Sequence, residues 1–475
     1  MSGTLFGGLA TAVLGAMVMT ETPPAPPVAA TPVVMAAPPA TRASGPAGSL
    51  LIVETNRSVP LVHIVVAART GSAADPRRRE GLINLATEMA RRGAGKRSRE
   101  ELDGALDALG ANLEVHTEPD SVRFEGEVLS RNLDAFLYIL GDILIRPQFS
   151  KTELGRTRRE LIAHLDENRT DDHALCARFF ARNLYGEHPY GLPPEGTRQS
   201  LEAMNADELG QHFKKHFVGK NLIFAATGDV EVSDLQSRLG RALAGLREGP
   251  PPKRGELREP VSPQGWRIQL VDKPDRQQAQ LMFGHAAVRA SDPDFVPLQV
   301  AMAAFGGHGM SSTLMTEVRT KRGLAYGAYM SLVERRGRGP AAGYVFSAND
   351  KIVPTMKLVL RLYLGLMEQG VPAKRVAFFK DFLAGSYASE IDPPAARLDH
   401  RVDAEVLGLP ADYVETYPAR LRAVTPEEVA AAVTKHVRAR DLAITIVASA
   451  PVVKRLLLDA KVQESAIDVV GFESY

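Results

Sequence analysis

The chain has 475 residues, of which 45% are hydrophobic and 24% are charged, a composition typical of globular domains. Its 57 Lys and Arg residues nearly balance 56 Asp and Glu residues, and the net charge of +1 argues against a nucleic-acid partner. The single cysteine, Cys176, excludes an internal disulfide framework and Cys-based metal centres. We expect it to be a small buried apolar residue.

Two N-terminal segments precede the predicted fold. Residues 1–20 carry no charge, and residues 5–19 form an apolar run of the length found in the core of a signal peptide. This run predicts export to the periplasm or cell envelope, although the basic residues of an export signal are missing, since the first is Arg42. A disordered tail without a targeting role is the alternative. Residues 21–49 are rich in Pro and Ala and hold few large apolar side chains, which predicts an extended, disordered spacer.

From residue 50 the pattern changes to short β-rich runs that alternate with amphipathic helices. One predicted helix, residues 81–92, carries Leu82, Leu85, Ala86 and Met89 at spacings of three and four, which form one apolar stripe. Strands and helices mixed in this way predict an α+β fold. The other predicted elements of the first half are strands at residues 50–54, 61–68, 112–117, 121–129 and 222–227 and helices at residues 133–145, 151–169 and 207–216.

The second half of the sequence repeats the first. Residues 205–228 align without gaps on residues 425–448, which lie 220 positions later. Near the start of each half, Asp75 before a proline corresponds to Asp292 before a proline, 217 positions later. Two distant landmarks with nearly the same offset indicate an internal duplication, far longer than a solenoid repeat.

The duplication sets the predicted domain boundaries. An N-terminal domain at residues 50–245 and a C-terminal domain at residues 266–475 are two copies of one α+β unit. Residues 246–265 join them and contain five prolines among charged residues. Such a composition predicts an exposed linker between domains.

Two histidines on one predicted helix deserve a separate interpretation. His212 and His216 lie four residues apart, so they share a helix face and could hold a metal ion. The matching positions of the second half are Ala432 and His436, and the same helix is predicted there without the pair. No carboxylate lies at ligand spacing within the helix, so we interpret both as half-exposed structural residues.

The segment around the helix at residues 81–92 resembles the start of the pitrilysin/insulinase family of zinc peptidases. The resemblance rests on EGLINLATEM at residues 80–89, which follows a strand and a loop. It implies two tandem α/β-roll domains, each a mainly antiparallel sheet covered by helices, as in the mitochondrial processing peptidase. In those proteins an inverted H-x-x-E-H places two histidines on one helix face to bind zinc, with the Glu as general base.

This chain departs from that zinc motif. Asn84, Thr87 and Glu88 stand where the family has His, Glu and His. His164, within RRELIAHLDEN at residues 158–168, stands where the family has a further zinc-binding Glu. Thr87 cannot act as a base, and only two plausible ligands remain of the three that a catalytic zinc requires. We therefore expect neither a catalytic residue nor a metal or other cofactor in this chain.

The second half carries the better-preserved part of the family signature. Residues 305–327, FGGHGMSSTLMTEVRTKRGLAYG, resemble a family segment that ends in an Arg and a Tyr seven residues apart, here Arg319 and Tyr326. The resemblance implies that both hydrogen-bond the substrate backbone near the scissile bond, a role that a guanidinium fork and a phenol suit. Gly306 and Gly307 are expected to let the loop approach a bound peptide closely.

Each of these residues also has an ordinary structural interpretation. Glu88 lies four residues before Arg92, at the spacing of a helix-surface ion pair. Arg319 lies among other basic residues and suits a solvated helix end, and Tyr326 suits a strand. Glycines often only form turns.

The leading hypothesis is a non-catalytic subunit of a heterodimeric zinc peptidase. An Arg/Tyr half without a zinc half is similar to the zinc-less subunits of bacterial pairs in this family. The expected partner is a homologue with an intact H-x-x-E-H that carries the zinc, and the expected substrate is a peptide or unfolded polypeptide. The alternative is a peptide-binding or scaffold protein of the same fold with no proteolytic role. A third hypothesis, an active peptidase with an unusual site, is disfavoured because the base and the His pair are gone.

Overall fold

The computed structural model describes residues 38–252, 257, 259–307 and 309–474. Two π-helical turns, Ala303–Gly307 and Met315–Thr320, lie in the second half. The strands are β1 (Thr41–Ser44), β2 (Leu50–Thr55), β3 (Leu61–Ala68), β4 (Gly93–Ala94), β5 (Arg97–Ser98), β6 (Asn112–Thr117), β7 (Val122–Leu129), β8 (Leu222–Gly228), β9 (Trp266–Asp272), β10 (Gln278–Ala286), β11 (Gly327–Leu332), β12 (Pro340–Ala348), β13 (Leu442–Ala448) and β14 (Ile467–Gly471).

The α-helices follow the same order in each half. They are α1 (Leu82–Ala90), α2 (Arg99–Leu109), α3 (Leu133–Ile145), α4 (Lys151–Asn168), α5 (Asp172–Tyr185), α6 (Arg198–Ala203), α7 (Ala206–His216), α8 (Val232–Ala242), α9 (Phe295–Met302), α10 (Asn349–Gln369), α11 (Ala373–Glu390), α12 (Pro394–Leu407), α13 (Tyr413–Ala423), α14 (Pro426–His436) and α15 (Ala450–Asp459). The elements β3, β6 and α3 have the bounds that the hydrophobic pattern predicts. None of the helices in the described ranges is long and apolar enough to cross a membrane.

Each half builds one six-stranded mixed sheet, and the two sheets have the same strand order. The first sheet is ordered β1-β2-β8-β3-β7-β6 and the second β14-β9-β13-β10-β12-β11. Neighbouring strands are antiparallel, except that β2 is parallel to β8, and β9 is parallel to both β13 and β14. The predicted α+β duplication is therefore confirmed in the topology. Only the edge strand differs, because β1 comes from the N-terminal side of its sheet and β14 from the C-terminal side.

The first sheet begins earlier than the sequence predicts. Thr41–Ser44 form β1 and pair antiparallel with β2, with Thr41 opposite Val53. The predicted disordered spacer at residues 21–49 is therefore wrong for residues 41–49. A four-residue edge strand is held by backbone pairing along one side, so it needs no run of large apolar residues. The predicted export segment, residues 1–20, and residues 21–37 of the spacer lie outside the described residues.

Each sheet is covered on one face by helices of its own half and on the other by a helix from the opposite half. Helix α12, from the second half, packs Leu398 and Val402 against Ile52, Val65 and neighbouring apolar residues of the first sheet. The sequence did not predict this exchange, since periodicity shows that a helix face is apolar but not which sheet it covers.

Helix α5, from the first half, makes the reciprocal contact. Its residues Leu175, Cys176 and Phe179 pack against Val271 and Val447 of the second sheet. Cys176 is fully buried, as predicted, and burial raises the pKa of its thiol to about 12. We refer to α5 and α12 as the exchanged helices.

A buried ionic network fixes α12 to the first sheet. Glu54 at the end of β2 accepts hydrogen bonds from Arg397 Nη2 at 2.5 Å and Arg397 Nε at 2.9 Å, and it also pairs with Arg401. Arg401 in turn lies 2.8 Å from Glu415 Oε1 on α13. The side chains of Glu54, Arg397 and Arg401 are almost fully buried. Buried charges of this kind are tolerated only when they are paired and hydrogen-bonded.

The corresponding contact of α5 uses one buried ammonium. Lys273, just after β9, places Nζ 2.5 Å from Asp172 Oδ1 at the start of α5 and donates to the carbonyl oxygen of Arg169 at 2.6 Å. Farther along α5, Asn183 Nδ2 donates to the carbonyl oxygen of Ile444 at 3.0 Å. These polar contacts flank the apolar centre of the interface.

The described part of the segment between the halves is exposed at some positions and buried at others. Leu246 packs into the core of the first half, and Pro260 and Pro263 are buried. The described residues belong to one compact unit. These three residues depart from the predicted exposed linker, because the exchanged helices hold the halves against each other. Val261, in contrast, is 86% exposed, and more than half of the described positions of the segment are exposed. Residues 253–256 and 258 lie outside the described residues.

Candidate functional site

The helix that carries the altered zinc motif is anchored at its N-terminus by a buried carboxylate. Asp75 accepts hydrogen bonds from the backbone N–H groups of Gly81 and Ile83, both at 3.0 Å, which satisfies donors that the first turn of α1 leaves free. Gly81 has φ +83°, and a Cβ there would lie 2.6 Å from the carbonyl oxygen of Glu195. The start of α1 is thus fixed in the position that the family uses for its metal-binding helix.

The position of the family's general base is closed by packing. Thr87 is fully buried, and its hydroxyl donates to the carbonyl oxygen of Ile83 at 2.8 Å. Asn84, one turn earlier, is also buried. An alcohol hydroxyl is too weak a base to take a proton from water, and this one is buried and bonded to its own helix, so this face of α1 serves packing.

Glu88 is held in a structural ion-pair network. Its Oε2 lies 3.8 Å from Arg92 Nη2, and Arg92 Nη1 lies 2.6 Å from Glu160 Oε2 on α4. Burial raises the pKa of Glu88, and Arg92 and then Arg91 oppose the shift. The contacts of Glu88 are those expected of an ion pair between residues four apart on one helix.

His164 lies partly exposed on α4, where its nearest acidic neighbour is Glu167, with Nδ1 3.9 Å from Oε2. Across the described ranges, the only three ligating side chains whose donor atoms come within 4.8 Å of one another are those of Asp292, Asp294 and His436. Glu88 and His164 therefore gain no third His, Cys, Asp or Glu ligand in the described chain. The residues at the zinc positions do not fit a catalytic zinc.

The group of three in the second half is itself an ion-pair cluster. Asp294 Oδ2 lies 2.6 Å from Lys435 Nζ and 2.8 Å from His436 Nε2. These two partners lower the pKa of the Asp294 carboxyl through hydrogen bonds. Because the lysine already neutralises the carboxylate, the cluster is built for charge pairing within the protein rather than for a metal.

The two histidines of α7 are buried, so the half-exposed placement predicted for them is wrong. His212 Nε2 lies 3.4 Å from Asp75 Oδ1, and the rings of His212 and His216 are 4.5 Å apart. Burial lowers the pKa of His216 to about 3, which keeps this ring neutral at physiological pH. Their structural role is as predicted, but α7 turns this face toward α1 rather than toward solvent.

Arg319 and Tyr326 lie together at the surface of the second half. Arg319 lies near the end of the π-helical turn Met315–Thr320, and Tyr326 directly precedes the edge strand β11. The guanidinium lies over the tyrosine ring, 4.7 Å from its centroid, and Tyr326 is 70% exposed. Among the described residues Arg319 has no ion pair, its polar contact being Met310 Sδ at 3.8 Å. The two side chains thus form one exposed pair with free hydrogen-bonding groups.

The two predicted glycines have different places. Gly306 is buried, and a Cβ on it would lie 2.7 Å from the backbone nitrogen of Met330 on β11. Close packing of the turn against its own sheet therefore explains Gly306, and the close approach of this loop to a peptide stays a prediction. Gly307 is only partly buried, and a Cβ there would meet no atom nearer than 3.4 Å.

A row of aromatic side chains next to Tyr326 was missed by the sequence reasoning. The ring of Phe346 lies 5.9 Å from that of Tyr326, and Tyr344 stacks 5.8 Å beyond it. His173, from the exchanged helix α5, meets Tyr344 edge-on at 4.5 Å. The alternation of Tyr344 and Phe346 with small buried residues along β12 is the signal that could have shown this face.

Comparison with known proteins agrees with this architecture. Residues 50–198 match the model of the insulinase family, peptidase family M16, and residues 203–382 match the peptidase M16 inactive domain. The non-peptidase homolog YmxG of Helicobacter pylori is 24% identical over 402 residues, which cover 84% of this chain and 91% of the homolog. An uncharacterized zinc protease of Streptomyces coelicolor is 24% identical and covers 86% of this chain and 89% of its own length.

Solved structures show the same fold. A peptidase M16 inactive domain from Pseudomonas fluorescens superposes with a TM-score of 0.80 at 23% identity, covering 86% of this chain and 97% of that domain. The first half of the periplasmic protease PqqL from Escherichia coli superposes with a TM-score of 0.72 at 13% identity, covering 88% of this chain and 93% of the other. The chain belongs to the insulinase family, peptidase family M16, and it has Asn84, Thr87 and Glu88 where the zinc motif of that family has His, Glu and His.

Proposed function

We propose that the chain is the non-catalytic subunit of a heterodimeric zinc peptidase and presents Arg319 and Tyr326 to a peptide bound at a zinc site on its partner. The observation that carries this proposal is the exposure of the pair. Tyr326 is exposed, Arg319 is partly exposed, and neither forms an ion pair with a described residue, so the pair beside the edge strand β11 is available for a second molecule.

The geometry defines what this chain contributes. The guanidinium of Arg319 has five N–H donors, and the cation–π contact with Tyr326 restrains its orientation. A peptide carbonyl facing the pair accepts hydrogen bonds from Arg319 and from the phenol of Tyr326, and the same donors stabilise negative charge that develops on that oxygen. The residues of this chain orient the peptide and polarise its carbonyl, and they supply neither nucleophile nor base.

The partner and the compartment belong to the same proposal. The partner is a homologue with an intact H-x-x-E-H, which supplies the zinc, and the substrate is a peptide or unfolded polypeptide. Residues 1–20, which form an uncharged apolar run, support export to the periplasm or cell envelope.

A peptidase assay on reconstituted subunits tests the proposal. The chain is purified from its native organism, co-eluting proteins are identified, and cleavage of a quenched fluorescent peptide is measured for the chain alone and for the mixture. We expect the chain alone to be inert and the mixture with an H-x-x-E-H homologue to cleave. Tyr326→Phe and Arg319→Ala should each lower kcat/KM by about tenfold or more, since each removes a donor to the reacting carbonyl.

The matched control is Tyr138→Phe, because Tyr138 on α3 is also exposed but lies in the first half. It should leave the activity of the mixture unchanged. If no H-x-x-E-H homologue co-elutes and no mixture cleaves peptides, the heterodimer proposal fails and the chain is a scaffold or peptide-binding protein. If neither Tyr326→Phe nor Arg319→Ala changes the activity of the mixture, this pair has no role in the reaction.

A further inference from the structure

A polar cavity lies in the second half, between α11, α12 and α13. Its volume is about 210 Å³. The residues that line it share two chemistries, carboxylate and phenol, and the ones that matter here are Glu334, Glu390, Asp403, Tyr387, Tyr413 and Tyr417. Neither the altered zinc motif nor the Arg319 and Tyr326 pair contributes to its lining.

Three tyrosines form a continuous aromatic wall of this cavity. The rings of Tyr387 and Tyr417 are 4.6 Å apart and nearly perpendicular, and those of Tyr413 and Tyr417 are 5.3 Å apart. Tyr387 is 7% exposed and Tyr417 is 6% exposed, whereas Tyr413 is partly exposed, so the wall is open to solvent on the Tyr413 side. Tyrosine faces carry negative electrostatic potential, which attracts a cation placed over the ring.

Two of these phenols have no hydrogen-bond partner in the described part of the chain. The third phenol, that of Tyr417, has a partner, because its hydroxyl donates to Gln299 Oε1. The Tyr413 hydroxyl oxygen is buried without a partner. Tyr387, more than nine-tenths buried, lines the cavity and also makes no hydrogen bond with a described residue. A buried hydroxyl without a partner is uncommon, so the Tyr413 hydroxyl marks this cavity as a place where a ligand's polar group belongs.

The charges of the cavity are unbalanced. Asp403 pairs with Arg123 of the first half, and Glu390 Oε1 lies 3.2 Å from His400 Nε2. Glu334 forms no ion pair with any described Lys, Arg or His. Burial raises the pKa of Glu334 to about 7, with Asp403 adding to the shift and His400 opposing it. Glu334 is thus a carboxylate of this cavity that has no ion-pair partner among the described residues, although His400 and Arg335 oppose the rise in its pKa.

We propose that this cavity binds an alkylammonium group, with Glu334 as counter-ion, the tyrosine wall as a cation–π surface and the Tyr387 hydroxyl as hydrogen-bond acceptor. The group is either a free aliphatic diamine or the lysine side chain of a peptide. An ammonium donates three N–H bonds, which suits a site whose unsatisfied groups are acceptors.

The alternatives fit the cavity less well. A divalent cation needs several ligand atoms close together, and the acidic groups here are not among the described residues that form such a set. An anion would meet three carboxylates. An apolar ligand would leave Glu334 and the free hydroxyls without partners.

Calorimetric titration and thermal unfolding of the full-length chain test the site. The probes are putrescine and a short alanine peptide with one lysine, and the matched control probe is the same peptide with norleucine in place of the lysine. We expect heat of binding and a higher unfolding temperature with putrescine, the lysine peptide or both, and neither effect with the norleucine peptide. Binding of only one of the two identifies which source of the ammonium the site takes.

Variants assign the binding to the cavity. Glu334→Gln and Tyr387→Phe should each weaken binding by about tenfold or more. Glu334→Gln should fold, since it removes a carboxylate whose charge burial disfavours, and its circular dichroism and unfolding temperature verify this. The control Glu427→Gln removes an exposed carboxylate of α14 and should leave binding unchanged. The proposal is overturned if neither ammonium probe binds the native chain. It is also overturned if Glu334→Gln and Tyr387→Phe bind the probes as tightly as the native chain does. No peptidase partner is involved, so this outcome is independent of the proposed function.

Discussion

The exchanged helices α5 and α12 occupy equivalent places in the two halves, but different chemistry holds them. Helix α12 is tied to the first sheet through Glu54, Arg397 and Arg401, all buried. Helix α5 relies on apolar contacts, a few hydrogen bonds and one ammonium, that of Lys273. The duplicated fold thus repeats the shape of a contact without repeating its charges. Packing geometry is fixed by the sheet and helix, whereas the polar groups at the rim are free to differ.

The largest expected effect is on the ionic side of this comparison. Glu54→Gln leaves the buried guanidinium of Arg397 without a carboxylate and that of Arg401 with Glu415 alone, and we expect a loss of about 3 to 5 kcal/mol of unfolding free energy. Urea unfolding monitored by circular dichroism measures it. The control Glu187→Gln breaks an exposed pair with Arg77 and should cost no more than about 0.5 kcal/mol. Equal effects of the two variants would show that the buried network adds no special stability.

The equivalent change on the α5 side should be smaller. Lys273→Met removes the ammonium that bonds Asp172 and the Arg169 carbonyl, and the expected loss is about 1.5 to 3 kcal/mol. The cost is limited because Arg276 Nε, 3.2 Å from Asp172 Oδ2, still pairs with that carboxylate. The same urea experiment checks the ranking. A loss larger than that of Glu54→Gln would reverse the comparison.

A pH titration separates the two helices further. Burial raises the pKa of Asp399 on α12 to about 7, and Glu125 adds to the shift while Arg123 opposes it. Because the folded pKa lies above the unfolded one, the stabilisation is full below about pH 4 and is lost as the pH rises through about 7.

Asp399→Asn should therefore flatten this dependence and stabilise the protein by about 1 to 2 kcal/mol near pH 8, with little effect near pH 4. The groups that face Asp399 include Asp403 and His400, so their protonation contributes to the same titration. Urea midpoints measured across this range decide the point. An unchanged pH profile in Asp399→Asn would show that another group is responsible.

The smallest expected effect concerns the apolar side. Cys176→Ala removes one sulfur from the α5 contact and should cost about 1 kcal/mol. In the native chain the thiol should react very slowly with a disulfide reagent, since it is buried and its pKa is raised to about 12. Its reaction rate therefore reports when α5 leaves the second sheet. Faster labelling in Glu54→Gln would show that the exchanged helices open together, and an unchanged rate would show that they open separately.

The hydrophobic pattern was sufficient for elements with a clear apolar face and insufficient elsewhere. α3 was predicted at its observed bounds because its apolar residues are dense and Pro147 stops it. α2 was missed, although Ser98 and Glu101 form a capping box at its start, because only Leu102 and Leu106 of that helix are buried. Local periodicity thus registers burial rather than helix formation itself.

The candidate site likewise has one part that the sequence predicts and another that it does not. The positions of Asn84, Thr87 and Glu88 follow from motif spacing, since one helix fixes their relative placement. The contact of Arg319 with Tyr326 and the aromatic row beyond it depends on how a π-helical turn meets β11 and β12, which spacing does not specify. The pairing of Glu54 with Arg397 joins residues 343 positions apart, and a sequence without aligned relatives carries no signal for it.

The exchange of helices also sets an order for synthesis on the ribosome. The first sheet can form once α8 has emerged, but α12, which covers its second face, is translated about 150 residues later, which takes on the order of 10 s. During that interval Ile52, Val65 and Ile223 face solvent on a half-covered sheet. The second half meets no such delay, because α5 is already made when β9 appears. The nascent first half is therefore the stage of biogenesis at which a chaperone that binds apolar surface has the most to protect.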